Sequence, residues 1–340
     1  VPRPATIDEV AKLAGVSSMT VSRVVNASPR VREETRSRVL SAMAELEYRP
    51  NAIAQGMRSS TTRTVGFLLP DLTNPLNAMI AQSVEASLAA AGFRMLVAST
   101  RFDIDKEAHY LEQFQANVVD GIIALLSDET SEVIARAIEK SRVPVVVIDR
   151  DLPVPVDAVL CEHEQVMSEL VTHLVGLGHR RIGLLNGPMT IRPARRRLDA
   201  FCSTALKLGV DDPLRYSRAP PPTIEEGFRA AMELMTATPR PTALIVCSNQ
   251  NMFGALRAIR DLGLRIPGDL SFVGADENMS SALLDPPLTV IDRDIGSMGE
   301  AAARLLMDRL ESPHRRPGAQ VTIPSQLILR SSCGPAHRTD

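Results

Sequence analysis

The pattern of hydrophobic and polar positions changes rhythm near residue 64. Ahead of it, apolar residues recur at the three-and-four spacing of amphipathic helices; beyond it, short unbroken apolar runs alternate with helical patterns. In the first part Thr6 can start a helix, with Glu9 three places on to complete a capping box, and Val10, Leu13 and Ala14 fall on one face. Gly15 ends that helix in a tight helix-to-helix turn, and Ser17 can cap a second helix running to about Asn26. Val21, Val24 and Val25 point inward there, and Ser18, Met19, Ser22 and Arg23 largely outward. Residues 27–29 form a loop, and a third helix over 32–47 buries Val39, Met43 and Leu46. A weak helical segment at 52–58 and a polar stretch at 59–62 follow.

From residue 65 onward, apolar runs at 65–69, 94–98, 121–125, 143–148, 158–160, 181–185, 243–247, 270–274, 289–291 and 321–329 predict strands. Helical patterns at 78–91, 106–115, 131–140, 167–177, 195–208, 225–235, 252–262 and 295–310 fill most of the gaps. Alternation of helices with wholly apolar strands implies parallel sheets covered on both faces. About 275 residues of this pattern exceed one comfortable core, so two lobes are expected.

Composition narrows the class. The chain has 340 residues, 44% hydrophobic and 23% charged, which is globular usage and excludes wholesale disorder. No apolar run reaches the roughly 18 residues of a membrane span, and the first residues lack the apolar core of a secretion signal, so a cytoplasmic setting is expected. Cys161, Cys202, Cys247 and Cys333 are far apart with no CxxC pair, which points away from a zinc cluster or a disulfide framework. Residues 1–63 hold ten Lys/Arg against six Asp/Glu, whereas the rest holds 28 against 34. A basic head on an acidic body suggests a polyanionic partner for the head alone.

The outward face of the second helix suits DNA. Hydroxyls and a helix N-terminus hold phosphate oxygens, and an arginine can read guanine O6 and N7 together. From periodicity alone, three helices that merely pack on one another remain equally open. In the body, open parallel sheets bind ligands beyond the C-terminal ends of their strands. That rule nominates Asp71, Asn74, Asp149, Arg150, Asn186, Asn249 and Asp276, although strand-end Asp and Asn also serve as turn and cap residues. No GxSxG, Walker loop, HExxH or GxGxxG is present, and Gly176-Leu-Gly178 precedes a strand instead of following one. His109, His173 and His179 have no partner at metal spacing and are expected at the surface or at helix ends. No catalytic residue, cofactor or metal is expected.

The run TIDEVAKLAGVSSMTVSRVVN at 6–26, AMAEL at 42–46 and YRPNAIA at 48–54 closely resemble the head of lactose-repressor (LacI) family transcription regulators, and the resemblance extends through the body to about Arg330. It implies a helix-turn-helix head at 1–49, a hinge helix and linker at 50–63, and a two-lobed body of the periplasmic-binding-protein type, with two doubly wound parallel sheets, at 64–340. It places Ser18 and Met19 at positions that vary with operator sequence, Arg23 at a base, and Thr20 and Ser22 on phosphates. Thr6, Ser17, Asn26, Asn51, Ala54 and Arg58 complete the implied DNA contacts. Met57 stands where the family usually has a leucine wedge entering the minor groove. Arg32 stands where the family often has a capping residue.

In the body the resemblance implies crossovers near 160–163, 288–292 and 318–322. DLTNP at 71–75 resembles the first pocket loop, and Asp149, Arg197 in RLDAF, Asn249 and Asp276 in VGAD match effector-binding positions. With Asn74, Asn77 and Arg150 they suit a small polyol or sugar acid. Departures from the family are Leu76-Asn77, Gln250, Glu162-His163 and Ala200. Arg192, Arg195, Arg196 and Arg197 cannot all aim inward from one helix, so most are expected to be solvated. The expected protein is an effector-responsive homodimer on a pseudo-palindromic operator, a non-enzyme without membrane contact. The runner-up is an enzyme with a fused DNA-binding head, in which Asp149 and Asp276 would form an acid/base pair.

Overall fold

The structure, a computed structural model, describes residues 5–25, 28, 30–48, 61–116, 119–210, 212–276, 279–312, 314 and 316–336, with backbone alone at 279 and 280. Asn26, Asn51, Ala54, Met57, Arg58 and the expected hinge helix lie outside the described residues. The chain divides into two compact units, Val1–Thr62 and Arg63–Asp340.

The first unit holds α1 (Ile7–Ala14), α2 (Ser18–Val25) and α3 (Glu33–Glu45). The capping box is formed: Glu9 N–H donates to Thr6 Oγ1 at 3.3 Å, and Thr6 N–H donates to Glu9 Oε2 at 2.7 Å. Gly15 adopts φ 64°, the left-handed conformation that lets α1 stop and the chain turn into α2. Val10, Ala11, Ala14, Val21, Val24, Val39 and Ala42 form the core, with Met43 and Leu46 against it. Leu13 departs from expectation and is 46% exposed. At 100° per residue the buried stripe centres between Val10 and Ala11, which puts Leu13 on its flank. Arg32 gives α3 no side-chain cap, as its chemistry predicts.

The second unit holds strands β1 (Thr64–Leu69), β2 (Arg94–Ser99), β3 (Gly121–Ala124), β4 (Val145–Ile148), β5 (Asp157–Cys161), β6 (Ile182–Leu185), β7 (Ser217–Arg218), β8 (Ala243–Val246), β9 (Ser271–Ala275), β10 (Thr289–Arg293), β11 (Gln320–Ile323) and β12 (Ser325–Ile328). Its helices are α4 (Pro75–Ala90), α5 (Ile104–Gln115), α6 (Glu132–Glu139), α7 (Glu164–Gly176), α8 (Arg192–Lys207), α9 (Ile224–Thr236), α10 (Asn249–Asp261), α11 (Met279–Leu283) and α12 (Ile295–Glu311). They build two lobes. The first sheet has the order β11-β5-β4-β3-β1-β2 and is wholly parallel. The second has the order β12-β10-β9-β8-β6-β7 and is parallel except where β12 runs against β10. Helices α4 and α12 bury one face of the first sheet around Phe67, Val84 and Leu306, and α5 and α6 the other around Leu68, Leu111 and Ile134. In the second lobe α7 and α8 close on Leu170, Leu174 and Phe201, and α9 and α10 on Leu234, Met252 and Phe272.

The chain passes between lobes after β5, between β10 and α12, and at Pro324. The first passage is where the resemblance placed it; the other two lie a few residues further on. The run read as one strand over 321–329 is two strands in two sheets. Pro324 has no N–H to donate to a ladder, so pairing stops there and resumes in the other lobe. β7 was not expected, being too short to show a period. The polar tail is also built in: buried Ser332 donates from Oγ to Phe272 O at 2.6 Å, and Phe272 N–H donates to Ser332 O at 2.9 Å.

Helices α4, α7, α8 and α10 each begin three residues before the start that apolar spacing predicts. Their first turns lie at strand ends and carry polar residues, so the apolar period begins a turn late. α10 is seated by backbone contact with α9: a Cβ on Gly254 would lie 2.1 Å from Ile224 O, and one on Gly227 would lie 2.4 Å from Asn251 Cα. That approach fixes the height at which α10 presents Asn249.

Candidate functional site: a helix surface and an inter-lobe cleft

In the head, α2 buries Val21 and Val24 and turns Met19, 65% exposed, and Arg23 outward. The Arg23 side chain has no hydrogen bond or ion pair among the described residues. Ser17 Oγ accepts from Thr20 N–H at 3.2 Å and lies 3.0 Å from Thr20 Oγ1, so the expected cap is present. Ser18 is half-buried, and its hydroxyl donates to Asp8 Oδ1 at 2.6 Å. Sequence spacing set it outward; the structure ties it to α1. Thr6 and Ser22 are half-buried as well.

In the body, a cleft between the lobes, about 860 Å³ with its open mouth, is lined by Asn74, Asn77, Asp149, Arg150, Arg197, Asn249 and Asp276. Seven of the eight expected effector residues therefore meet on one surface. Asp71 is turned instead to the lobe-to-lobe contact, where Gln250 Nε2 donates to its Oδ2 at 2.8 Å. Asn186 is buried and donates to Ala194 O at 2.7 Å, holding the start of α8. Asn74 caps α4 by accepting from Leu76 N–H at 3.1 Å, and Asn77 donates to Asp71 O at 2.8 Å.

The two strand-end aspartates are counterparts. Asp149 ends β4 at φ 55° and Asp276 ends β9 at φ 61°. In each, the backbone N–H donates at 2.7 Å to the neighbouring strand, to Val159 O and Ile291 O. This left-handed conformation is uncommon outside glycine, and the strand pairing holds it. It swings both side chains across the strand ends. Asp149 accepts from Cys161 N–H at 3.1 Å, from Arg192 Nη1 at 3.1 Å and from His163 Nε2 at 2.8 Å. Burial alone would raise its pKa, but His163, Arg293 and the Cys161 amide together hold it well below the carboxylate range. Burial pushes His163 down to about 4, outweighing the pull of Asp149. The imidazole is thus neutral at pH 7, its Nε2–H donates to Asp149, and its Nδ1 is a buried acceptor with no partner among the described residues. Asp276 receives Arg293 at both oxygens, 2.7 Å each, and Asn249 Nδ2 at 2.9 Å.

Three of these groups were not anticipated. Arg293 was missed because the apolar run stops at Ile291, whereas β10 continues through Asp292 to Arg293. His163 and Gln250 were noted only as departures from the family pattern; both contact expected site residues. The arginine cluster is also less solvated than expected. Arg192 bonds Asp149, Arg195 bonds the buried Glu129 and Arg197 is buried, so only Arg196, at 3.0 Å from Glu164, lies on the open surface. Glu129 also accepts at Oε2 from Asp151 N–H at 2.9 Å, and its own N–H donates to Thr190 O at 3.2 Å. Asp71–Gln250 and Glu129–Arg195 therefore join the lobes at separate points. His179 is likewise wholly buried, bonded to Thr242 and Ser271 at 2.9 Å each and to Gly334 O at 3.0 Å.

Ligand atoms of Asp149, Cys161 and His163 lie within 4.8 Å of one another. A cation there would sit beside Arg192 and Arg293, and burial pushes the Cys161 thiol far up, so the group suits a neutral-and-ion-paired network better than a metal.

Residues 6–51 match the family described as bacterial regulatory proteins, lacI family, and residues 171–333 match the periplasmic binding protein-like domain. The chain is 32% identical over 335 residues to the HTH-type transcriptional repressor PurR of Haemophilus influenzae, covering 96% of this chain and 98% of that protein. It belongs to the lacI family of bacterial regulatory proteins. Another relative in the family, the HTH-type transcriptional regulator DegA of Bacillus subtilis, is 31% identical over 339 residues, 97% of this chain and 98% of that one. A lac repressor dimer bound to operator and the anti-inducer ONPF superposes with a TM-score of 0.86 at 29% identity, over 98% of this chain and 100% of that chain. No described helix is long and apolar enough to cross a membrane.

Proposed function

We propose that this lacI-family regulator is a cytoplasmic, nucleoid-associated repressor. It binds a pseudo-palindromic operator as a homodimer, and a small polar effector of the sugar or sugar-acid class in the cleft changes its operator affinity. The observation that carries the reading is α2, whose buried Val21 and Val24 leave Met19 facing out beside an Arg23 side chain with no partner among the described residues. In this reading Arg23 and Met19 contact bases, while Ser17, Thr20, Ser22 and the Thr6 cap approach phosphates. Asn26, Asn51, Ala54, Met57 and Arg58 complete the interface. The dimer is supported by β2, an edge strand that exposes Leu96 and Val97, apolar surface that a second copy would cover.

The effector site comprises Asn74, Asn77, Arg150, Arg197 and Asn249, with Asp149 and Asp276 as the ion-paired floor. Asp71 acts from the rim through Gln250. An acid/base pair is disfavoured because each aspartate is committed to a guanidinium. Selection of genomic fragments by the purified protein, followed by footprinting, tests the reading. Two related half-sites protected on either side of a two-fold centre are expected. Binding without sequence preference would sink it.

A further inference from the structure

We infer that the cleft takes a ligand with one negative charge, a polyhydroxylated carboxylate, and that Arg197 receives the carboxylate. The inference rests on the effector-site reading above and narrows its ligand class. Three guanidiniums, Arg150, Arg197 and Arg293, line the cleft with two carboxylates, Asp149 and Asp276. Both acids are already occupied. Asp276 has Arg293 on both oxygens and Asn249 besides; Asp149 has Arg192, His163 and the Cys161 amide. Neither is left as the open acceptor that the hydroxyls of a neutral sugar need.

Arg150 is compensated. Its Nε donates to Leu126 O at 2.6 Å and its Nη1 to Asp149 O at 2.9 Å, and Asp149, Glu129 and Glu107 all pull on its charge. Arg197 is different. It is 6% exposed, its Nη1 donates to Cys247 O at 3.2 Å, and no carboxylate among the described residues lies within 4.0 Å of it. The surplus positive charge of the wall therefore sits on Arg197. A buried, unpaired guanidinium is costly, and a carboxylate meeting two of its N–H groups relieves that cost with the fork geometry arginine favours. Asn74, Ser127, Ser248 and Asn249, also in the wall, offer neutral polar groups to ligand hydroxyls.

The test is thermal unfolding of the full chain at fixed ionic strength with D-gluconate, D-glucuronate and D-galacturonate, each beside its neutral parent, D-glucose or D-galactose. Glucose 6-phosphate forms a separate arm for a phosphate source. At least one acid should raise the Tm by more than its parent, and Arg197→Met should erase that shift. Arg197→Met should also melt higher than the parent protein when no ligand is present, since it removes an unpaired buried charge. The inference fails if a neutral sugar outperforms its acid, if all acids are inert, if the phosphate alone acts, or if Arg197→Met melts lower without ligand. Footprinting of the parent protein on DNA is read independently, so the regulatory reading can stand while this one falls.

Discussion

The α2 surface and the cleft use polar side chains in opposite ways. On α2, the Arg23 side chain is exposed and has no partner among the described residues, and the hydroxyls of Ser17, Ser18 and Thr20 find partners within the head itself. In the cleft, the charged groups are buried, and all but Arg150 and Arg197 are locked to an opposite charge across strands and lobes. Changes on the first surface should leave folding nearly untouched, whereas breaking a buried ion pair in the second should not. An exposed face can leave a guanidinium to water until a charged partner arrives, whereas a buried site has to satisfy most of its charges within the fold.

The largest effect should come from Arg293. Arg293→Met leaves Asp276 buried without its bidentate partner and should cost about 3–5 kcal/mol of body stability in urea unfolding. Adding Asp276→Asn to that variant should recover part of the loss. A loss under about 1 kcal/mol would mean the pair behaves as a solvated one, and the contrast with the head would collapse.

Next is pH. His163 titrates near 4 in the folded chain, below the ordinary 6.5, so the unfolded chain takes up the proton first as pH falls. Its contribution is complete above about pH 6.5 and is lost between there and about pH 4, by on the order of 3 kcal/mol. His163→Gln should flatten that stretch of the stability profile. An unchanged slope would show that His163 is protonated in the fold.

Arg23→Ala should leave stability within about 0.5 kcal/mol. It should weaken specific operator binding by about 1–3 kcal/mol and relax preference at one guanine per half-site. Uniform weakening on all DNA would move Arg23 from base to phosphate. The smallest effect should be Thr6→Ala, which removes the cap on α1 and costs about 1 kcal/mol of head stability, read by helicity on heating.

How much was legible follows from the range of each interaction. The capping box at Thr6 and Glu9, the Gly15 turn and the outward Arg23 are local: each depends on residues within a turn or two, and spacing showed them all. Ser18 was misjudged because its partner Asp8 is on another helix. In the body, the strand-end rule found Asp149, Asn249 and Asp276, since strands announce their own ends. It could not show that Arg293, 17 residues from Asp276, would neutralise it, or that His163, 14 residues from Asp149, would bury a neutral imidazole against it.

Sequence by itself determined the helical head, the alternating body and which residues stand at strand ends, because hydrophobic period, caps and glycines act over a few residues. Tertiary structure alone decided which charges cancel. Pairing in the cleft depends on strand order, on the left-handed turns at Asp149 and Asp276, and on two lobes meeting at Asp71–Gln250 and Glu129–Arg195. Those distances are set by the packing of whole sheets, and burial makes the electrostatics depend on them steeply.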